Sequence, residues 1–172
     1  MSDDASPATA TGTRWLDPDQ QRAWRAYMVG TILLTDRLDD ELRGSFGIGL
    51  NEYEVLVRLS EREDHSLRMS ALADAMRFSR SRVTHTFKRM ETAGLVRRSE
   101  AKDDGRGIFA HLTEKGRELL VKAAPTHVDG VRSHLLDLAS DDDFAALGRV
   151  MNSVVDKLAQ QHPEADLRTP GS

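Results

Sequence analysis

The stretch from Phe78 to Leu112 limits the possible folds most, because it joins a two-faced helix to a pair of short strands. Between Ser79 and Gly94, the apolar residues Val83, Phe87 and Met90 recur at helical spacing and would share one side of a helix. The opposite side is rich in basic and hydroxyl side chains. The pattern predicts a helix that is buried along one stripe and presents its basic face outward.

Two short strands are predicted directly after this helix. They span Leu95 to Ser99 and Ile108 to Leu112, and residues 102–107 would form the turn between them. Gly105 and Gly107 permit a bent tip. A helix with a basic outer face, followed by a basic hairpin, suits the major groove of DNA and the minor groove beside it.

The charge distribution supports this interpretation, although the whole chain carries a formal net charge of −4. Residues 77–106 contain nine Lys or Arg and four acidic residues, a local charge of +5 that leaves −9 on the rest. Such a basic patch supplies phosphate contacts, and the acidic remainder discourages indiscriminate coating of DNA. The alternative is that this window is merely uneven, as windows of a charged protein often are.

Helical patterns flank this region on its N-terminal side. Asp17-Pro18, with Gln20 in the capping-box position, opens a long helix that should run to about Arg43. A second helix is predicted from a cap at Asn51 to about Glu61, with a short strand at residues 67–69. Ser70 and Ser79 are the predicted caps of the next two helices.

On the C-terminal side, Thr113 should cap a long helix that carries apolar residues as far as Leu138, with a possible kink at Pro125. Ser140, followed by three aspartates, should start a last helix that ends at His162-Pro163. The expected fold is mainly α with a small β-hairpin. Its order of helix, helix, strand, helix, helix, strand, wing, strand, helix, helix is that of a winged helix-turn-helix.

From about Gln20 to Leu158, the sequence resembles the MarR family of bacterial transcriptional regulators. The run MSALADAMRFSRSRVTHTFKRMETAGLVRR is similar to the family's helix-turn-helix. In DDGRGIFAHLTEKG, Asp104-Gly105-Arg106 resembles its Asp-x-Arg wing signature, and Leu112-Thr113 with Gly116 resembles the start of its next helix. The two motifs in this order and spacing form a strong signal.

The resemblance implies a homodimer that binds a palindromic operator as a repressor and is released by a small, often aromatic or phenolic, anion. It implies dimerisation helices in residues 17–50 and 113–162 around a DNA-binding lobe of residues 51–112. We expect residues 1–16 and 163–172 to be disordered tails. A constitutive regulator without a ligand remains an alternative.

Candidate DNA contacts cluster on the predicted recognition helix. Arg82 and His85 lie near its N-terminus, which points into the groove, and are the expected base readers, since Arg commonly pairs with guanine. Lys88 and Arg89 would track phosphates, and Arg106 would enter the minor groove. Ser81 and Thr84 suit either task, whereas Ser70 and Ser79 would contact phosphates, act as plain caps, or do both. The predicted DNA-binding set is Ser70, Ser79, Arg80, Ser81, Arg82, Thr84, His85, Lys88, Arg89, Lys102 and Arg106.

A ligand site is harder to place from the sequence. Trp24, Tyr27 and Tyr53 are the candidate lining of a pocket for an aromatic carboxylate, and ordinary core packing is the alternative that we favour. The histidines lack metal-ligand spacing; even His127 and His134, seven apart, provide only two ligands. We expect neither a cofactor nor a metal.

Several classes of protein are disfavoured. The chain has no cysteine, which removes thiol-based sensing. It has no long apolar run and no basic-then-apolar N-terminus, so we expect a soluble cytoplasmic protein. It lacks a glycine-flanked nucleophile, a phosphate-cradling Gly-Lys loop and a His-Glu-x-x-His pair, so an enzyme is not expected. The remaining alternative is a winged-helix module for protein–protein contact.

Overall fold

The computed structural model describes residues 12–76, 80–100 and 107–158. Contacts divide the chain into two units, residues 1–33 and 34–172, with the boundary inside the first helix. The predicted mainly α fold and the winged order of its elements are confirmed. The elements are α1 (Pro18–Phe46), α2 (Leu50–Ser60), β1 (Ser66–Arg68), α3 (Met69–Ala75), α4 (Arg80–Thr92), β2 (Val96–Glu100), β3 (Ile108–Leu112), α5 (Glu114–His134), a short 3-10 helix (Leu136–Leu138) and α6 (Asp141–Leu158).

The strands form one antiparallel sheet in the order β1-β3-β2. The predicted pairing of β2 with β3 is confirmed, with Arg98 opposite Ala110. The other edge of β3 pairs with β1, and Leu67 lies opposite the same Ala110. The short strand before α3 is therefore part of the same sheet as the hairpin.

The core of the second unit holds α4 against α2 and the sheet. Phe87, Met90, Leu56 and Leu72 are almost completely buried within one apolar cluster. Leu42, from the C-terminal part of α1, belongs to the same cluster. The stripe on α4 is thus fixed from several sides, which sets the direction in which its other face points.

Two predicted helix caps are wrong. The structure starts α2 at Leu50 with Gly49 as its N-cap, and the Glu52 carboxylate accepts a hydrogen bond from the Gly49 backbone N–H at 2.7 Å. Glu52, three residues after the cap, makes the carboxylate half of a capping box, and Asn51 already lies inside the helix. Similarly, α3 begins at Met69 after an extended Arg68, which places Ser70 in the first turn.

Two helix boundaries lie where the sequence predicts them, at Gly94 and at Thr113. Gly94, just beyond α4, has φ +74°, a left-handed conformation that favours glycine. The Oγ1 of Thr113 accepts the backbone N–H of Gly116 at 3.0 Å and caps α5 as predicted. Two expected ends are wrong: α1 continues beyond Arg43 to Phe46, and α5 ends at His134 before the 3-10 turn.

The structure does not describe most of the predicted tails, the Ser79 cap, most of the predicted turn at residues 102–107 or the end at His162-Pro163. Residues 12–17 are exposed and form neither helix nor strand. Among the described helices, none combines the length and apolar character that crossing a bilayer requires.

Candidate nucleic-acid interface

The two faces of α4 separate as the sequence predicts. Val83, Phe87 and Met90 are buried, with 5%, 1% and 1% of their surface exposed. Their packing leaves the other side of the helix in solvent. The predicted DNA contacts exposed along that side are Ser81, Arg82, Thr84, His85, Lys88 and Arg89.

A basic groove runs beside this exposed face. It has a volume of about 540 Å³, and α1 and α2 contribute Arg43 and Asn51 to its wall. The remaining lining comes from α4, so the groove gathers three guanidinium groups and one imidazole around one concave surface. Multiple guanidinium donors suit phosphate or carboxylate oxygens. The α4 residues that line it are Ser81, Arg82, His85, Thr86 and Arg89.

Arg89 does more than face this groove. Its Nε donates to Glu52 Oε1 at 2.7 Å, while 53% of the Arg89 side chain stays exposed. Glu52 is only 4% exposed. Glu52 and Arg43 are not among the predicted contacts because they lie far from α4 in the sequence, although the spacing of Gly49 and Glu52 was a usable capping signal.

Arg98 supports the hairpin from inside the lobe. Its side chain lies 3.7 Å from the Glu91 carboxylate and stacks on the Phe87 ring, with 5.1 Å from the guanidinium carbon to the ring centre. Glu91 also accepts the backbone N–H of Arg98 at 3.2 Å. Arg97 is exposed instead. Arg98 therefore connects β2 to α4 through Glu91 and Phe87, and Arg97 is the member of this pair that faces solvent.

A second open cavity, of about 370 Å³, lies where α3, α4 and β3 meet. Ser70 and Thr84 line it, together with Arg68 and Ile108. Ser70 is exposed there. The structure thus places Ser70 on the same lobe as the α4 residues, whereas Ser79, Lys102 and Arg106 lie outside the described residues. Arg80 begins α4.

The candidate ligand residues lie in different surroundings. Trp24 and Tyr27 stack on each other in the first unit, with ring centres 5.9 Å apart, and both are exposed. Tyr53 belongs to the core of the second unit and packs against His127, with the two ring centres 4.6 Å apart. Burial raises the pKa of Tyr53 and lowers the pKa of His127. Within the described ranges, no three His, Asp or Glu side chains converge as a metal site would require.

The fold and the basic α4 face define a winged helix-turn-helix protein, and comparison with known proteins identifies its family. The sequence model described as MarR family matches residues 48–108. AbsC, a MarR family transcriptional regulator from Streptomyces coelicolor, is 44% identical, with a TM-score of 0.80 over 86% of this chain and 99% of that one. Sco3205, a MarR family regulator from the same organism solved in complex with DNA, is 39% identical, with a TM-score of 0.79 over 84% and 94%.

A more distant relative agrees. The regulator PecS of Dickeya dadantii is 27% identical over 136 residues, which cover 74% of this chain and 82% of PecS. The chain belongs to the MarR family of transcriptional regulators. It is accordingly a regulator and not an enzyme.

Proposed function

We propose that this chain is a sequence-specific regulator that binds double-stranded DNA as a homodimer and represses transcription from a palindromic operator. The observation that carries the proposal is the exposed basic face of α4, held outward by its buried stripe. The likeness to Sco3205, whose structure contains DNA, supports it. A mobility-shift titration with the native promoter region, at stated salt, tests it: no specific retardation would contradict DNA binding.

The proposed contacts divide by position on α4. Arg82 and His85, near its N-terminal end, read base edges, whereas Lys88 and Arg89 bind phosphates and fix the register. Ser81 and Thr84 serve either purpose. The remaining proposed contacts are Ser70, Ser79, Arg80, Lys102 and Arg106, of which Arg106 enters the minor groove. We also propose that residues 51–112 form the DNA-binding lobe.

A homodimer is proposed because helices outside this lobe expose apolar faces. On α6 the residues Phe144, Leu147, Val154 and Leu158 recur at helical spacing, and each is more than a third exposed. In the first unit, α1 exposes Trp24, Met28, Ile32 and Leu33. A second copy would cover such surfaces, which is why residues 17–50 and 113–162 are the proposed dimerisation helices.

Light scattering after size exclusion tests the dimer. We expect a dimer for the wild type and a monomer for Val154→Glu, because a buried unpaired carboxylate opposes association. Ile108→Glu places the same charge on another exposed apolar residue outside the proposed dimer helices and should leave the dimer intact. A monomeric wild type at working concentration would contradict the proposal.

Release by a small aromatic anion completes the proposed function. The groove of Arg43, Arg82 and Arg89 supports it, since a carboxylate bound there would occupy donors that the operator needs. Trp24, Tyr27 and Tyr53 stay proposed aromatic contacts of the ligand, although they are not among the residues that line this groove. Adding 2-hydroxybenzoate should abolish the mobility shift of the wild type, and Arg43→Met should retain DNA binding but lose this response. If the mobility shift of both the wild type and Arg43→Met persisted after 2-hydroxybenzoate was added, the result would favour a constitutive regulator.

A further inference from the structure

We infer that Glu52 is a positioning residue for DNA binding: it holds the Arg89 guanidinium so that its outer N–H groups face a phosphate. The inference rests on the proposed function. Glu52 lies on α2 and Arg89 on α4, 37 residues apart in the chain. The contact therefore connects the recognition helix to the helix behind it and involves a side chain on the proposed DNA-facing groove.

The geometry divides the donors of Arg89 between two partners. Its Nε donates inward to Glu52 Oε1 at 2.7 Å, and about half of the side chain remains exposed along the groove. Because the guanidinium is planar, fixing Nε also fixes the plane in which the two terminal nitrogens lie. A free arginine side chain loses considerable rotamer freedom on binding, and an arginine already held in place loses less.

Glu52 is itself held rigidly. Its second oxygen accepts the Gly49 backbone N–H at 2.7 Å, and the side chain is 5% exposed. The next amide, Leu50 N–H, donates to Asp39 Oδ1 of α1 at 2.7 Å. The carboxylate that orients Arg89 is thus anchored to the start of α2, which is anchored in turn to α1.

Glu52→Gln separates positioning from simple electrostatics. Glutamine serves the capping box as well as glutamate does, so the start of α2 is kept. The single amide oxygen of glutamine then accepts the Gly49 N–H, and the amide nitrogen faces Arg89 Nε, so the bond to Arg89 is lost because both groups are donors. On charge alone, removing an acid beside the DNA-facing groove would tighten DNA binding. Positioning predicts the opposite, a weakening of about 3- to 10-fold, the range for reordering one long side chain.

The experiment uses a duplex selected by the wild-type protein from a random pool. Binding is titrated at several salt concentrations for Glu52→Gln, Arg89→Met and the double variant, with thermal unfolding of each to establish folding. Arg89→Met should lower the salt slope by about one phosphate contact. Glu52→Gln should weaken binding in the wild type but not in the Arg89→Met background. Asp74→Asn, which neutralises an exposed acid on α3, is the charge control and should bind at least as tightly as wild type.

Arg89→Lys provides a second test that leaves Glu52 and the net charge unchanged. Lysine keeps the charge but has no planar fork, so we expect several-fold weaker binding with the salt slope retained. Wild-type affinity for Arg89→Lys, tighter or unchanged binding for Glu52→Gln, or an equal loss from Glu52→Gln in the Arg89→Met background would each overturn the inference. If the wild type selects no duplex, the proposed function itself fails and the inference falls with it.

Discussion

Substituting Gly116 by alanine tests why a residue without a side chain stands in the first turn of α5. A Cβ at this position would lie 2.1 Å from the backbone oxygen of Leu95 and 2.9 Å from Cδ1 of Leu112. A backbone oxygen cannot rotate away as a flexible side chain can. The start of α5 would therefore have to move roughly 1 Å away from the chain that enters β2.

The energetic consequence follows from the bonds at this junction. Thr113 donates to the Leu95 oxygen twice, from its backbone N–H at 3.2 Å and from Oγ1 at 2.9 Å. Overpacking costs about 1–3 kcal/mol, and weakening two hydrogen bonds adds about 1 kcal/mol each. The better helix propensity of alanine returns about 1 kcal/mol. We expect Gly116→Ala to lower the free energy of unfolding by about 2–4 kcal/mol.

Urea unfolding followed by circular dichroism measures this change at a fixed protein concentration. Gly44→Ala is the matched control, because Gly44 also lies in a helix and a Cβ there would meet nothing within 4 Å. That control should be neutral or stabilising by up to about 1 kcal/mol. If Gly116→Ala unfolded at the wild-type urea midpoint, the close approach of α5 to Leu95 would not exist as described.

Three further predictions concern the wing, the cap of α5 and the response to pH. Arg106→Ala should weaken operator binding by about 1–3 kcal/mol, and wild-type affinity in a titration would reject the wing assignment. Thr113→Ala should cost about 1–2 kcal/mol of stability, because the cap on Gly116 N–H is lost together with the hydroxyl hydrogen that is shared between the Gly94 and Leu95 oxygens; an unchanged urea midpoint would argue against it. Because burial lowers the pKa of His127, the folded state binds a proton there less readily than the unfolded chain, so stability should fall as the pH drops below about 6.5. His127→Phe should flatten that part of the stability profile, and an equally steep decline in the variant would place the effect elsewhere, for example at His111, whose pKa is also lowered, chiefly by burial.

The sequence predicts local features of this molecule well. The buried stripe of Val83, Phe87 and Met90 follows from helical periodicity alone, and so does the exposed face opposite. Gly94 marks the end of α4 because glycine readily adopts a left-handed conformation, and Thr113 marks the start of α5 because its hydroxyl can cap a helix. These features depend on neighbours within a few residues.

Features that depend on distant partners could not be predicted in this way. Asn51 is the better N-cap by residue type, but the buried position of Glu52 decides that Gly49 takes this role. The contact of Arg89 with Glu52 spans 37 residues, so no local spacing indicates it. Tyr53 likewise gives no sign in the sequence that its ring packs against His127. Tertiary packing, rather than propensity, determines each of these outcomes.

The central place of β3 in the sheet has a consequence for the duplex. Since β3 pairs with β2 on one side and with β1 on the other, the hairpin strands are hydrogen-bonded to the strand that leads directly into α3. A lobe built in this way has little freedom to adjust the angle between the hairpin and α4. Under the proposed function, we expect any mismatch in groove width to be absorbed by the DNA, which favours operators with easily deformed pyrimidine–purine steps between the proposed contacts of α4 and the hairpin.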